Sequence, residues 1–180
     1  LEAIRIIQGC KENQPWAQKA LFEQLAPSMI MVCRRYTGNL PDAEEVMLSG
    51  FMQFFLKIHL FEYRGEGSIS AYLRRIMIHE SLMHLRKQPN ITEQEIEDTL
   101  VSEEQDPLDR LSTAEIMELI TRLPTGYRTI FNLYVIDGMS HREIADLLHI
   151  KEGTSKSQLS KARRLLQQMV IKINNHGITT

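Results

Sequence analysis

The sequence predicts an all-α protein: two small helical domains joined by a flexible acidic linker, the C-terminal one a helix-turn-helix domain. Three observations predict it. Apolar residues recur at helical spacing through both halves. Pro, Ser, Thr and Asp stand where helices would begin, and Gly where they would end. Charge is segregated: the formal net charge is -2 over 180 residues, yet the segment from Glu93 to Glu118 carries roughly nine negative charges. The segment from Met139 to His176 carries roughly four positive ones. The boundaries read as residues 1–88, 89–110 and 111–176.

Taken in order, "PWAQKALFEQLAPSMIMVCRRYTG" has Pro15 at a helix start and Gly38 after its end. Pro27 is expected to kink or divide that helix. "PDAEEVMLSGFMQFFLKI" begins with Asp42 as N-cap and Glu45 three residues on. Its Val46, Met47, Gly50, Phe51, Phe54 and Ile58 form an apolar face wide enough for both a core and a partner. Tyr63 to Ser68 is a loop made flexible by Gly65 and Gly67, with Ser68 or Ser70 capping the next helix. That helix carries Tyr72, Arg74, Arg75, Arg86 and Lys87. Aromatic rings beside cations suit single-stranded nucleic acid, because rings stack on bases and cations hold phosphates. A core tyrosine beside surface arginines is the plainer alternative.

The C-terminal part opens with "TAEIMELITRLP", starting at Thr113 and broken by Pro124 and Gly126. "YRTIFNLYVIDG" follows, and Gly138 ends it. Ser140 to Glu143 is an S-x-x-E capping box. Gly153 is expected to supply the turn and Thr154 to cap the last helix. On that helix Leu159, Ala162, Leu166, Met169, Val170 and Ile173 share one face. Lys156, Ser157, Ser160, Lys161 and Arg164 lie on the other. Long cations hold phosphates or read guanine, and small hydroxyls let a helix approach the major groove. A solvated lysine-rich face is the bland alternative; the capped helix and turn before it favour DNA.

Other classes fit poorly. Hydrophobic content of 43% and charged content of 24% suit a folded chain rather than a disordered one. Two cysteines, Cys10 and Cys33, make no disulfide framework, so a reducing, cytoplasmic compartment is expected. No stretch reads as a membrane span or signal peptide. "HESLMH" misses the metalloprotease H-E-x-x-H by one residue, leaving His79 and His84 on different helix faces. Nothing suggests catalysis, and no cofactor or metal is implied.

With both halves laid out, the chain resembles an extracytoplasmic-function (ECF) RNA polymerase sigma factor from about Gln14 to Ile173. The most specific match lies in Leu123-Pro124, Arg128, Phe131, Gly138, Ser140, Glu143-Ile144-Ala145, Gly153-Thr154, Ser157 and Ala162-Arg163. The resemblance implies a bacterial, non-enzymatic specificity subunit with core RNA polymerase and promoter DNA as partners, and an anti-sigma factor by family habit. Residues 1–88 would bind core enzyme and melt the −10 element. The linker would enter the polymerase cleft. Residues 111–176 would read the −35 element.

Residue by residue, the resemblance implies core contacts from Asp42, Glu45, Val46, Met47, Phe51, Phe54 and Phe55. It implies −10 contacts from Tyr63, Arg64, Ser68, Tyr72, Arg74, Arg75, His79, Arg86 and Lys87. It implies −35 contacts from Arg142, Thr154, Lys156, Ser157, Ser160, Lys161 and Arg164. Five positions depart from the usual pattern. Leu48-Ser49 stand where Gln-Glu or Gln-Asp is usual, His79 where Asn is common, Met83 near a common Asp, and Ser155 for a usual Val. The rival reading is an independent helix-turn-helix regulator that binds duplex DNA as a dimer; a purely protein-binding module is a third.

Overall fold

The structure, a computed structural model, describes residues 2–87 and 112–176, with side chains as far as residue 173. The acidic segment 89–110 lies outside the described residues. The chain divides into two units, Leu1–Pro89 and Asn90–Thr180.

In the first unit, α1 (Glu2–Lys11), α2 (Pro15–Thr37), α3 (Leu40–Lys57) and α4 (Ser68–Lys87) pack together, with a 3-10 turn at Ile58–Leu60 after α3. Leu21, Met29 and Val32 of α2, Val46, Phe51 and Phe54 of α3, and Leu73 and Met77 of α4 share one apolar core. Pro27 does not divide α2. Both Pro27 and Glu23, whose carbonyl loses its partner, lie on the exposed side, where water can serve that oxygen. Gly38 closes the helix at φ 84, its N–H reaching Arg34 O.

Two expected caps move. Asn39, not Asp42, is the N-cap of α3: its side chain accepts from the Asp42 N–H at 2.9 Å. Asn39 satisfies a free helix-end N–H, while Pro41 inside the first turn has none to satisfy. Ser68 is the first helical residue of α4 rather than its cap. Its hydroxyl donates to Gly65 O at 2.7 Å and accepts from the Arg64 N–H at 3.3 Å, so it folds the preceding loop back on itself.

The second unit holds α5 (Thr113–Thr121), α6 (Thr125–Phe131) running into a π turn (Asn132–Ile136), α7 (His141–Leu148) and α8 (Glu152–His176). Capping boxes start α5 at Ser112 with Glu115, and α7 at Ser140 with Glu143. Arg128 is buried and donates to Thr121 O and Leu123 O, both at 3.0 Å, so it serves carbonyls at the end of α5. Burial pulls its guanidinium down to about 10, which still leaves it charged at neutral pH. The turn between α7 and α8 comes from His149 at φ 57, not from Gly153. Helix α8 already begins at Glu152, so Thr154 is helical rather than a cap. Leu159, Ala162, Leu166 and Val170 are buried as the pattern requires, but Ile173 is 42% exposed. Among the described residues, no helix is long and apolar enough to cross a membrane.

Candidate nucleic-acid interface

Helix α8 presents its cations outward because its buried stripe leaves them no other side. Ser157, Ser160, Lys161 and Arg164 fall within an arc of roughly 100° around the helix axis. The first three are exposed and Arg164 is half-buried. Thr154 is half-buried beside them, and Arg142 is exposed in the first turn of α7. Lys156 sits apart from this group: its Nζ is 2.7 Å from Glu152 Oε1. That bond is the first cause holding the Glu152 carboxyl below the usual range. The arrangement is a strip of hydroxyls and cations on the outer side of a helix, the kind of element that the DNA major groove admits.

Ser155 takes the first buried position of the α8 stripe, with no exposure. Its Oγ lies 2.9 Å from His141 Nδ1 on α7. The position usually filled by an apolar side chain therefore holds a satisfied polar one.

In the first unit, a recess of about 520 Å³ opens between the loop after the 3-10 turn and the start of α4. Glu62, Arg64, Ser68, Tyr72 and Arg75 are among its lining residues. The Tyr72 ring is anchored against Phe61 and Phe54, with centroids 5.3 and 6.1 Å away. Arg64 Nη2 lies 3.1 Å from Glu62 Oε2. The recess thus has aromatic rings and two arginines in its lining, the inventory for holding a nucleobase and its phosphate.

Ser68, Tyr72, Arg75, His79 and Arg86 fall on one face of α4 by helical spacing. Arg74 does not: it follows Tyr72 by two positions, roughly 200° around the axis. Tyr63 is 38% exposed, and Lys87 is exposed at the last turn. His79 Nδ1 lies 3.6 Å from Glu80 Oε1, while Glu80 Oε2 accepts from the Ser49 hydroxyl at 2.9 Å. Two of the unusual positions, Ser49 and His79, therefore meet on one carboxylate. His84 turns away to Asp42, Nε2 to Oδ2 at 3.5 Å. Among the described residues there is no cluster of three or more metal-ligating groups.

On α3 the residues expected to meet a partner largely face inward. Val46, Met47, Phe51 and Phe54 are 3%, 8%, 2% and 0% exposed, and hold the core instead. Asp42 is occupied by Asn39 and His84. Glu45 is exposed and Phe55 half-buried. The outward face is a different one: Leu48, Met52 and Leu56, one turn apart, are 52%, 65% and 67% exposed. Sequence reasoning missed this stripe because α3 is apolar on two sides, and periodicity does not say which side packs. Its signal was there in the i, i+4, i+8 spacing of the three residues.

Comparison with known proteins finds family matches in both units. The family description "Sigma-70 region 2" matches residues 21–90, and "Sigma-70, region 4" matches residues 113–166. The ECF RNA polymerase sigma factor SigW of Bacillus subtilis is 28% identical over 178 residues, covering 91% of this chain and 94% of its own. The ECF RNA polymerase sigma-E factor of Haemophilus influenzae is 24% identical over 180 residues, covering 92% of each. In fold, the chain is similar to the sigma factor RpoE of Bartonella quintana, solved with the anti-sigma factor NepR. The TM-score is 0.50 at 21% identity, over 86% of this chain and 96% of that one.

Proposed function

The chain belongs to the extracytoplasmic-function RNA polymerase sigma factors, and from that premise we propose which of its surfaces meet each partner. Its function is to bind core RNA polymerase and direct promoter-specific initiation; it is not an enzyme. The cytoplasm, where core polymerase and promoter DNA are found, is the proposed site of its action.

Core enzyme docks on the outer face of α3. Leu48, Met52 and Leu56 supply buried apolar area on docking, with Glu45 and Phe55 at the edges. Leu48 in place of a polar residue makes this contact more apolar than the family pattern. Val46, Met47, Phe51 and Phe54 support the helix from beneath. Asp42 fixes its start.

The −10 element is held by the recess and the α4 face beyond it. Unpairing a base costs a few kcal/mol, which stacking and pocket contacts must offset. Tyr72 supplies a wall already braced by two phenylalanines. Arg64, Arg75, Arg86 and Lys87 hold the backbone, Tyr63 and His79 flank the captured strand, and Ser68 shapes the loop. Arg74 has no part on that face. The −35 element is read by Ser157, Ser160, Lys161 and Arg164 in the major groove, with Arg142, Thr154 and Lys156 on phosphates. The C-terminal unit belongs to residues 111–176 and the core-binding unit to 1–88. Anti-sigma factors are habitual partners in the family and would cover one of these surfaces.

The observation that carries the reading is the outward strip on α8, set on a helix-turn-helix that matches sigma-70 region 4. A run-off assay tests it. Core bacterial polymerase with this chain is expected to produce transcripts absent without it, and Lys161→Ala with Arg164→Ala to abolish them. A chain that shifts duplex DNA alone, and neither binds core enzyme nor supports a transcript, would be an independent regulator instead.

A further inference from the structure

Three elements of the second unit meet at one polar knot. His141, the first residue of α7, sets Nδ1 2.9 Å from Ser155 Oγ on α8. Its ring stacks on Tyr134 of the π turn, with centroids 4.3 Å apart and planes 21° apart. Arg163, also on α8, holds its guanidinium carbon 6.0 Å from the centre of the same Tyr134 ring. Helix α8 therefore meets one His–Tyr stack at two residues, Ser155 and Arg163, about 12 Å apart along its axis. One contact lets a helix swivel; two separated contacts resist both tilt and rotation.

Ser155 makes the restraint directional. It has no exposure and begins the stripe of Leu159, Ala162, Leu166 and Val170. In other rotations His141 Nδ1 loses this hydrogen bond and the Ser155 hydroxyl has only carbonyls of its own helix, so the rotation that brings the two together is favoured over neighbouring ones. An apolar side chain there would be less selective, because apolar contact is not directional. The same rotation turns Ser157, Ser160, Lys161 and Arg164 outward.

We propose that His141 and Ser155 are a positioning pair that sets the rotation of α8 and thereby its register on the −35 element. Neither side chain reads a base. The inference rests on the reading of α8 as the −35 reader.

The test uses holoenzyme reconstituted with the full chain. The probes are a duplex promoter selected by that wild-type holoenzyme from a randomised pool, and the same duplex with its −35 element scrambled. The readout is the ratio of the two affinities, with the thermal midpoint of each chain measured alongside. His141→Phe keeps a ring over Tyr134 and loses Nδ1. His141→Asn keeps a polar atom near the Nδ1 position and loses the ring. His141→Phe is expected to cut the ratio roughly tenfold by weakening only the intact promoter. His141→Asn is expected to stay within about threefold of wild type, whereas the double variant His141→Phe with Ser155→Val, which removes both polar partners together, is expected to recover the thermal midpoint but not the ratio.

The proposal is overturned if His141→Phe discriminates as wild type does, if His141→Asn fares no better than His141→Phe, or if both promoters weaken equally. A wild-type holoenzyme that selects no −35 sequence would overturn the reading of α8 itself, and the positioning role with it.

Discussion

Gly9 and Gly50 both sit where two helices come close, and the atoms facing them decide what a methyl group would do. A Cβ on Gly9 would stand 2.6 Å from Ala17 Cβ and 3.0 Å from Trp16 Cζ2. Ala17 Cβ is fixed to its backbone, so α1 and α2 would have to part. A Cβ on Gly50 would stand 2.5 Å from Met77 Sδ, in a side chain that can rearrange. Removing glycine from a helix by itself gains about 0.5–1 kcal/mol, against about 1–3 kcal/mol for overpacking. Gly9→Ala is therefore expected to lose about 1–2 kcal/mol and Gly50→Ala less, read from denaturation midpoints of the full chain. Equal effects would mean that α1 yields as easily as a methionine. The buried cysteines belong to the same core. Burial pushes Cys10 up to about 11 and Cys33 up to about 12, so both remain thiols at neutral pH and slow to alkylate.

At the scale of the element, the capping box of α7 was visible in four letters, because its partners lie within one turn. Ser140 bonds, from side chain and then backbone, hold Glu143 below the usual glutamate range, and Ser112 does the same for Glu115. A depressed carboxyl contributes stability above its unfolded value and loses it as pH falls through its folded value. Glu143→Gln, which keeps an acceptor, is expected to flatten the acid limb of helicity measured by circular dichroism. Ser140→Ala removes the cap at every pH and is expected to cost about 0.5–2 kcal/mol. The α3 face is the opposite case. Met52→Glu changes a residue 65% exposed, so the fold should hold while core binding weakens more than tenfold in a competition assay. Val46→Ala should instead lower stability, because Val46 packs inside.

Across the whole molecule, the near-neutral charge conceals a basic C-terminal helix-turn-helix and an acidic segment before it. Phosphate contacts release counterions, so promoter affinity should fall steeply with salt. Lys161→Ala and Arg164→Ala are each expected to reduce the slope of log affinity against log salt by about 1. Lys156→Ala is expected to reduce it less, because that cation already has Glu152. The sequence alone determined the all-α class, most of the helices and the polar face of α8, since these rest on spacing within single segments. Tertiary structure decided which side of α3 is free, that Asp42 is tied to His84, that Arg128 serves a helix end, and that Ser155 finds His141. Local periodicity names the faces of a helix. Only the packing of segments distant in sequence decides which face is buried and which polar group meets another.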